Sequence, residues 1–140
     1  KGYSLDAQSS VKLSYVKDSL RRGIFQKNLL KKINIKKILC NFQPIDIYKF
    51  NPFFIKIDTE GTEHLVILGL IKTIKKFKPI LMVEKNNLNF YAMSKILKKL
   101  NYEIYSFEND KLFRYSLIRN KHENLICVSK FNKKILKIFF

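Results

Sequence analysis

One stretch of the sequence, residues 53–84, constrains the fold more than any other part of the chain. It reads FFIKIDTEGTEHLVILGLIKTIKKFKPILMVE. A short strand is predicted at Phe53–Ile57, because that segment is apolar except for one lysine. Apolar side chains then recur at helical spacing between Leu65 and Ile74, and a second apolar strand, Ile80–Val83, begins after a proline. The pattern predicts a strand–turn–helix–strand unit of an α/β sheet.

Acidic residues gather where the two predicted strands end. Asp58, Glu60 and Glu63 fall in the turn after the first strand, and Glu84 ends the second strand. Ligands of open α/β sheets bind beyond the carboxyl ends of the strands, so we predict that Asp58, Glu60 and Glu84 share one rim. Acids at a helix start also complement the helix dipole, which gives them a purely structural explanation.

These residues resemble the signature of the FkbM family of S-adenosylmethionine-dependent methyltransferases. The family strand KID-x-EG-x-E is matched by Lys56, Ile57, Asp58, Glu60, Gly61 and Glu63. The later KP-(apolar)-VE strand is matched by Lys78, Pro79, Val83 and Glu84. Weaker likenesses at Asp46, Asn101–Ile104 and Glu123–Val128 extend the resemblance to residues 40–130.

The resemblance implies an α/β fold, the C-terminal half of a Rossmann-like class I methyltransferase. Strands four to seven of a mostly parallel sheet, with flanking helices, would be present, from a full sheet order of 3-2-1-4-5-7-6. Family members hold the cofactor on a glycine-rich turn, yet Gly2, Gly23, Gly61 and Gly69 form no G-x-G. We therefore expect the S-adenosylmethionine motif to lie upstream of Lys1 and this piece to be inactive by itself.

Residues 1–140 are expected to form a single partial domain. We expect a basic connecting region at 1–37, an α/β core at 38–130 and a basic amphipathic tail at 131–140 that docks on the domain. Further predicted elements are strands at Ile38–Phe42, Tyr102–Phe107 and Leu125–Ser129, and a helix at Phe90–Leu100.

Methyl transfer to a hydroxyl needs an aligned acceptor and a base that receives its proton. Asp58 is the candidate base, and Glu60 and Glu84 complete the predicted catalytic set. Asp46, Lys56, Glu63 and His64 are the predicted substrate-binding residues. His64 is included because it directly follows the acids, although the family signature does not require it. Capping of the following helix is the alternative for Asp58. The clustered acids could instead hold a divalent cation, although we predict no metal.

The net charge of +17 comes from 28 basic and 11 acidic residues. It suggests a polyanionic partner, but Lys, Ile, Asn and Phe are enriched together, as AT-rich codons would cause. Arginine, which recognises phosphates and bases best, occurs only at residues 21, 22, 114 and 119. We therefore favour compositional drift over nucleic-acid binding. A non-catalytic remnant or a basic binding module is the alternative function.

Cys40 and Cys127 have no metal-binding spacing, and both fall in predicted strands, which suggests buried free thiols. No apolar run approaches the roughly 20 residues of a membrane span, so we expect a cytoplasmic protein. The expected partners are a sugar or glycan-like acceptor and the missing N-terminal half. A second copy is also expected to associate through the exposed edge of strand Phe53–Asp58.

Overall fold

A computed structural model of the chain describes residues 13–21, 34–85, 89–116 and 124–138. The chain divides into two compact units, Lys1–Phe42 and Gln43–Phe140. The described part of the first unit consists of helix α1 (Leu13–Arg21) and a segment from residue 34 to 42 that has no helix or strand. Most of the predicted connecting region 1–37 lies outside the described residues.

The strand predicted at Ile38–Phe42 is not formed. Its side chains are exposed, and Leu39 is 98% exposed. A strand needs a neighbour to satisfy its backbone N–H and C=O groups, and the described strands pair only among themselves. Cys40 is accordingly an exposed free thiol, so its predicted burial was wrong.

The second unit is built on a five-stranded sheet in the order β1-β2-β5-β3-β4. The strands are β1 (Phe54–Ile57), β2 (Ile80–Glu84), β3 (Tyr102–Glu108), β4 (Lys111–Arg114) and β5 (Asn124–Ser129). β1 and β2 run parallel, whereas β2–β5, β5–β3 and β3–β4 are antiparallel. The described sheet is therefore mixed: β1, β2 and β3 run in one direction, β4 and β5 in the other, and the last strand lies between the second and third strands along the chain.

Strand direction distinguishes the two ends of the sheet, where strands begin or finish. These ends are different from its outermost strands, β1 and β4. β1 and β2 end at one edge, where Ile57 pairs with Val83 and Glu84 pairs with Asn124 at the start of β5. We call it the carboxyl edge. At the opposite edge β2 and β3 begin and β5 ends, with Tyr102 paired to Ser129. We call that the amino edge.

The single helix predicted after β1 is two helices, α2 (Glu63–Gly69) and α3 (Ile71–Phe77), which break at Leu70. An unbroken helix would direct the N–H groups of residues 72 and 73 to carbonyls four residues back. Here Lys72 N donates to Asp46 Oδ2 at 2.8 Å, and Thr73 N donates to Asp46 Oδ1 at 2.9 Å. Asp46, in the short 3₁₀ helix Ile45–Ile47, therefore caps α3 from outside the helix.

The 3₁₀ helix passes close to the backbone of Gly69. A Cβ atom built on Gly69 would lie 3.4 Å from the Cα atom of Pro44 and 3.6 Å from the backbone nitrogen of Ile45. The first of these distances is at the tight end of ordinary packing. Gly69 thus allows residues 44–46 to reach the break, which positions Asp46 over the start of α3.

Two hydrophobic clusters hold the second unit together. The larger includes Ile57, Ile67, Leu81 and Val83, and helix α4 (Phe90–Lys99) adds Met93 and Leu97. The smaller comprises Ile80, Tyr105, Leu112, Val128 and Leu136. Leu136 belongs to the 3₁₀ segment Lys130–Ile138, which kinks at Asn132. Leu136, a residue of the basic tail, is therefore packed against the sheet.

β1 is the last strand at one end of the described sheet order. Beside it, Phe53 is 69% exposed and Phe54 is 46% exposed. An edge strand flanked by apolar side chains is a site where another strand can pair. Among the described residues no helix is long and apolar enough to cross a membrane.

Candidate active site

Three acidic side chains meet at the carboxyl edge of the sheet. Asp58 follows β1, Glu60 lies in the turn behind it, and Glu84 ends β2. One carboxylate oxygen from each lies within 4.8 Å of the other two. Asp58 is exposed, whereas Glu60 and Glu84 are partly buried. The predicted rim of acids is therefore formed, because parallel pairing of β1 and β2 brings their ends together.

The turn after β1 contains two residues with positive φ angles, a backbone conformation that few residue types adopt readily. Glu60 has φ 50° and Gly61 has φ 104°. A side chain at the second of these angles would be strained, which explains the glycine. The carbonyl of Gly61 accepts a hydrogen bond from Asn89 Nδ2, which ties the turn to the residue before α4. Sequence analysis missed Asn89, since nothing local links residues 28 positions apart.

Glu63 points into the protein beneath this turn. Its side chain is 1% exposed. Its Oε1 accepts hydrogen bonds from Thr59 N at 3.2 Å, Thr59 Oγ1 at 3.2 Å and Gly61 N at 2.9 Å. Three donors on one oxygen offset part of the cost of burying a carboxylate, whose Oε2 is buried with no hydrogen-bond partner among the described residues. We predicted Glu63 as a substrate-binding residue, but its observed contacts are all with the turn.

Lys56 extends from the exposed face of β1 and pairs with Asp58. The Nζ–Oδ2 distance is 2.9 Å, and the two side chains are 56% and 41% exposed. An ion pair this exposed contributes little stability. It does keep a positive charge beside Asp58. A contact between Lys56 and substrate stays a prediction.

Asp46 and His64 are placed differently from the three acids. Both carboxylate oxygens of Asp46 are engaged by α3, as described above. Burial acts to raise the pKa of Asp46, but the hydrogen bonds from Lys72 and Thr73 outweigh it, so the pKa is lowered. His64 is partly buried, and its Nδ1 has no hydrogen-bond partner among the described residues. Their predicted substrate contacts have no support in these interactions.

The carboxyl edge can perform two kinds of chemistry. A carboxylate there can accept a hydrogen bond from a hydroxyl group and then take its proton. Oxygen donors from Asp58, Glu60 and Glu84 are also the ligands that Mg²⁺ and Ca²⁺ prefer. Both uses need the three side chains to stay clustered, and the buried contacts of Glu63 hold the turn that carries two of them.

An acid cluster at the ends of adjacent parallel strands, in a mixed α/β sheet, is compatible with a methyltransferase-like fold. The sequence model of a family described as "Methyltransferase FkbM domain" matches residues 25–115, more than half of the chain. The chain therefore belongs to the FkbM methyltransferase family. No curated protein and no solved structure matches it.

Methyltransferases in general use a cofactor of the S-adenosylmethionine type. Among the described residues the glycines are Gly61 and Gly69. Gly61 follows β1, but it is buried and its carbonyl is bound by Asn89, and Gly69 ends α2. Neither belongs to a glycine-rich turn that could cradle such a cofactor.

Proposed function

We propose that this domain forms the acceptor side of an O-methyltransferase. It acts on a hydroxyl group of a sugar or glycan-like molecule, with S-adenosylmethionine as the methyl donor. The observation that carries the proposal is the convergence of Asp58, Glu60 and Glu84 within 4.8 Å at the carboxyl edge. Carboxylates are the groups that bind sugar hydroxyls as hydrogen-bond acceptors, and the family supplies the reaction class.

Asp58 is the residue we assign as general base. It is the most exposed of the three acids and is held by Lys56 at 2.9 Å. In the reaction the acceptor oxygen would gain a bond to the methyl carbon as the bond from that carbon to the donor's sulfonium sulfur breaks and its electron pair stays on sulfur. The hydroxyl proton would pass to the Asp58 carboxylate. Glu60 and Glu84 orient the acceptor by receiving hydrogen bonds from neighbouring hydroxyls. The cofactor, when bound, supplies an electrophilic methyl group.

The order of strands supports the same proposal. The described strands β1, β2, β3 and β5 would be strands four, five, six and seven of a class I methyltransferase. Their observed order β1-β2-β5-β3 then reads 4-5-7-6. In that numbering the exposed edge of β1 is where strand one would pair. We place the cofactor-binding turn outside the described residues.

The test is a methyl-transfer assay with S-adenosylmethionine and a panel of sugars and glycans. It uses both the 140-residue chain and the longest protein whose reading frame contains it. Asp58→Asn is expected to lower turnover by about 100-fold or more while cofactor affinity stays unchanged. Asp110→Asn, an exposed acid in the β3–β4 turn, is the matched control. Equal turnover in the two variants would remove Asp58 from the mechanism.

A non-catalytic remnant is the second candidate, because no glycine-rich turn occurs among the described residues. The reading frame ahead of the Lys1 codon separates the two candidates. A strand followed by a G-x-G turn there would support the enzyme. A stop codon directly upstream, together with no S-adenosylmethionine binding by the chain, would support the remnant.

A further inference from the structure

A basic recess lies at the amino edge of the sheet, away from the acid cluster. It has a volume of about 160 Å³ and is open to solvent. The residues that line it are Ile74, Lys75, Lys78, Lys99, Leu100, Asn101 and Phe131. They come from the ends of α3 and α4 and from the start of the 3₁₀ segment 130–138. Nothing in the proposed methyl transfer uses this recess.

Positive charge dominates the recess. No acidic residue lines it, and the lysines at 75, 78 and 99 form no ion pair with any described residue. Two helices end here, and each C-terminus carries about half an elementary negative charge. Three lysines exceed that sum, so helix capping alone leaves about two positive charges unbalanced.

Two backbone carbonyl oxygens at the recess accept hydrogen bonds from other parts of the chain. Asn132 Nδ2 donates to Lys78 O at 3.0 Å, and Lys130 N donates to Asn101 O at 2.8 Å. The ammonium groups of Lys75, Lys78 and Lys99 are therefore not the donors to these two oxygens in the structure.

An exposed aromatic ring stands beside these lysines. Phe131 is 68% exposed, and the Nζ atom of Lys78 lies 4.7 Å from the centre of its ring. Lys130, next to it in the chain, is exposed as well. An apolar ring surrounded by lysines suits the boundary between lipid headgroups and acyl chains, where the ring is buried and the charges meet phosphates.

We propose that this recess docks the domain on an anionic phospholipid surface, with Phe131 entering the interface. A nucleic acid fits the recess less well. No arginine lines it to make bidentate phosphate or base contacts, and it presents one aromatic ring rather than a row on which bases can stack. Lysines act as point charges, which is sufficient for a headgroup layer.

The test compares two variants of equal charge in binding to mixed phosphatidylcholine–phosphatidylglycerol vesicles, measured by co-sedimentation. The recess variant is Lys75→Gln, Lys78→Gln, Lys99→Gln. The control is Lys49→Gln, Lys72→Gln, Lys111→Gln, which changes exposed lysines outside the recess. Each lysine near such a surface raises the binding affinity about fivefold, so removing three should make the recess variant bind about 100-fold more weakly than wild type. The control should lose only a few-fold.

A second pair of variants leaves the charge unchanged. Phe131→Ser should weaken vesicle binding about tenfold, because the ring no longer enters the interface. Phe107→Ser, an exposed ring on β3, should not. Equal losses in the two lysine variants would overturn the proposal, since they would show attraction by overall charge alone. A recess variant that loses single-stranded RNA binding but keeps vesicle binding would overturn it as well. Thermal unfolding of each variant checks that it is folded.

Discussion

Glu63 Oε1 accepts a hydrogen bond at 2.9 Å from the backbone N–H of Gly61, two residues earlier in the chain. The same oxygen also receives the N–H and hydroxyl of Thr59. A buried carboxylate thereby holds the turn that carries Asp58 and Glu60, two members of the acid cluster. The shape of the acid cluster depends on a side chain that does not belong to it.

Replacing Glu63 separates hydrogen bonding from charge. Glu63→Ala leaves three donors in or near the core without an acceptor, so we expect a loss of about 3 kcal/mol in the free energy of unfolding. Glu63→Gln keeps an oxygen at the same place and should cost about 1 kcal/mol or less. Urea denaturation measures both values. Equal losses would mean that the negative charge, rather than the acceptor, stabilises the turn.

Asp46 should make stability depend on pH through the cap of α3. Its pKa in the folded state lies below the ordinary value of 3.8, so its contribution is present above that value and is lost as pH falls through the lowered pKa. Asp46→Asn should cost about 1 kcal/mol at pH 7. The difference in the free energy of unfolding between wild type and Asp46→Asn should become smaller below about pH 4.

Thermal or urea unfolding at several pH values measures this gap. Asp110→Asn is the control, since Asp110 is an exposed acid whose change should leave stability nearly the same at each pH. A gap between wild type and Asp46→Asn that does not vary with pH would show that the ionised carboxylate is not what caps α3.

The two cysteines should react at very different rates. Cys127 is fully buried in β5, and burial raises the pKa of its thiol to about 12, so almost none is thiolate at pH 8. Cys40 is exposed. We expect one rapidly reacting thiol in a titration with a disulfide reagent, and two after denaturation. Cys40→Ser should abolish the rapid phase. A rapid phase that survives in this variant would contradict the burial of Cys127.

The side of β1 that pairs with no described strand should cause the 140-residue chain to self-associate. A lysine on an edge strand opposes pairing with another strand. Phe54→Lys, which changes an exposed residue of β1, should therefore raise the monomer fraction in analytical ultracentrifugation. Phe107→Lys changes an exposed phenylalanine on β3, which already has neighbours on both sides, and should have little effect. A monomeric wild-type chain would show that the edge is protected.

The sequence alone predicts the helices and strands that depend on a local pattern of apolar residues. β1, β2, β3 and α4 lie within about one residue of the predicted bounds, because apolar periodicity fixes them. The acid rim followed from strand direction. The break at Leu70 did not, because its cause is the carboxylate of Asp46, which acts across 26 residues on Lys72. No local sequence pattern near Leu70 indicates this hydrogen bond between Lys72 and Asp46.

The burial of the Glu63 side chain could not be predicted from the sequence either. An acid at a helix start already has a sufficient reason in the helix dipole, so nothing in the pattern requires it to be buried. The error at Ile38–Phe42 has the opposite cause. Its apolar residues suit a strand, but strand formation depends on a partner, which no segment of sequence specifies by itself.

The two edges of the sheet differ in charge, and β2 joins them. Its five residues span about 17 Å, from the start near the three recess lysines to the end at Glu84. The acids and the recess lysines are thus separated by the length of this strand. If the recess docks on an anionic surface as proposed, Asp58 and Glu84 lie at the end of β2 that faces away from that surface.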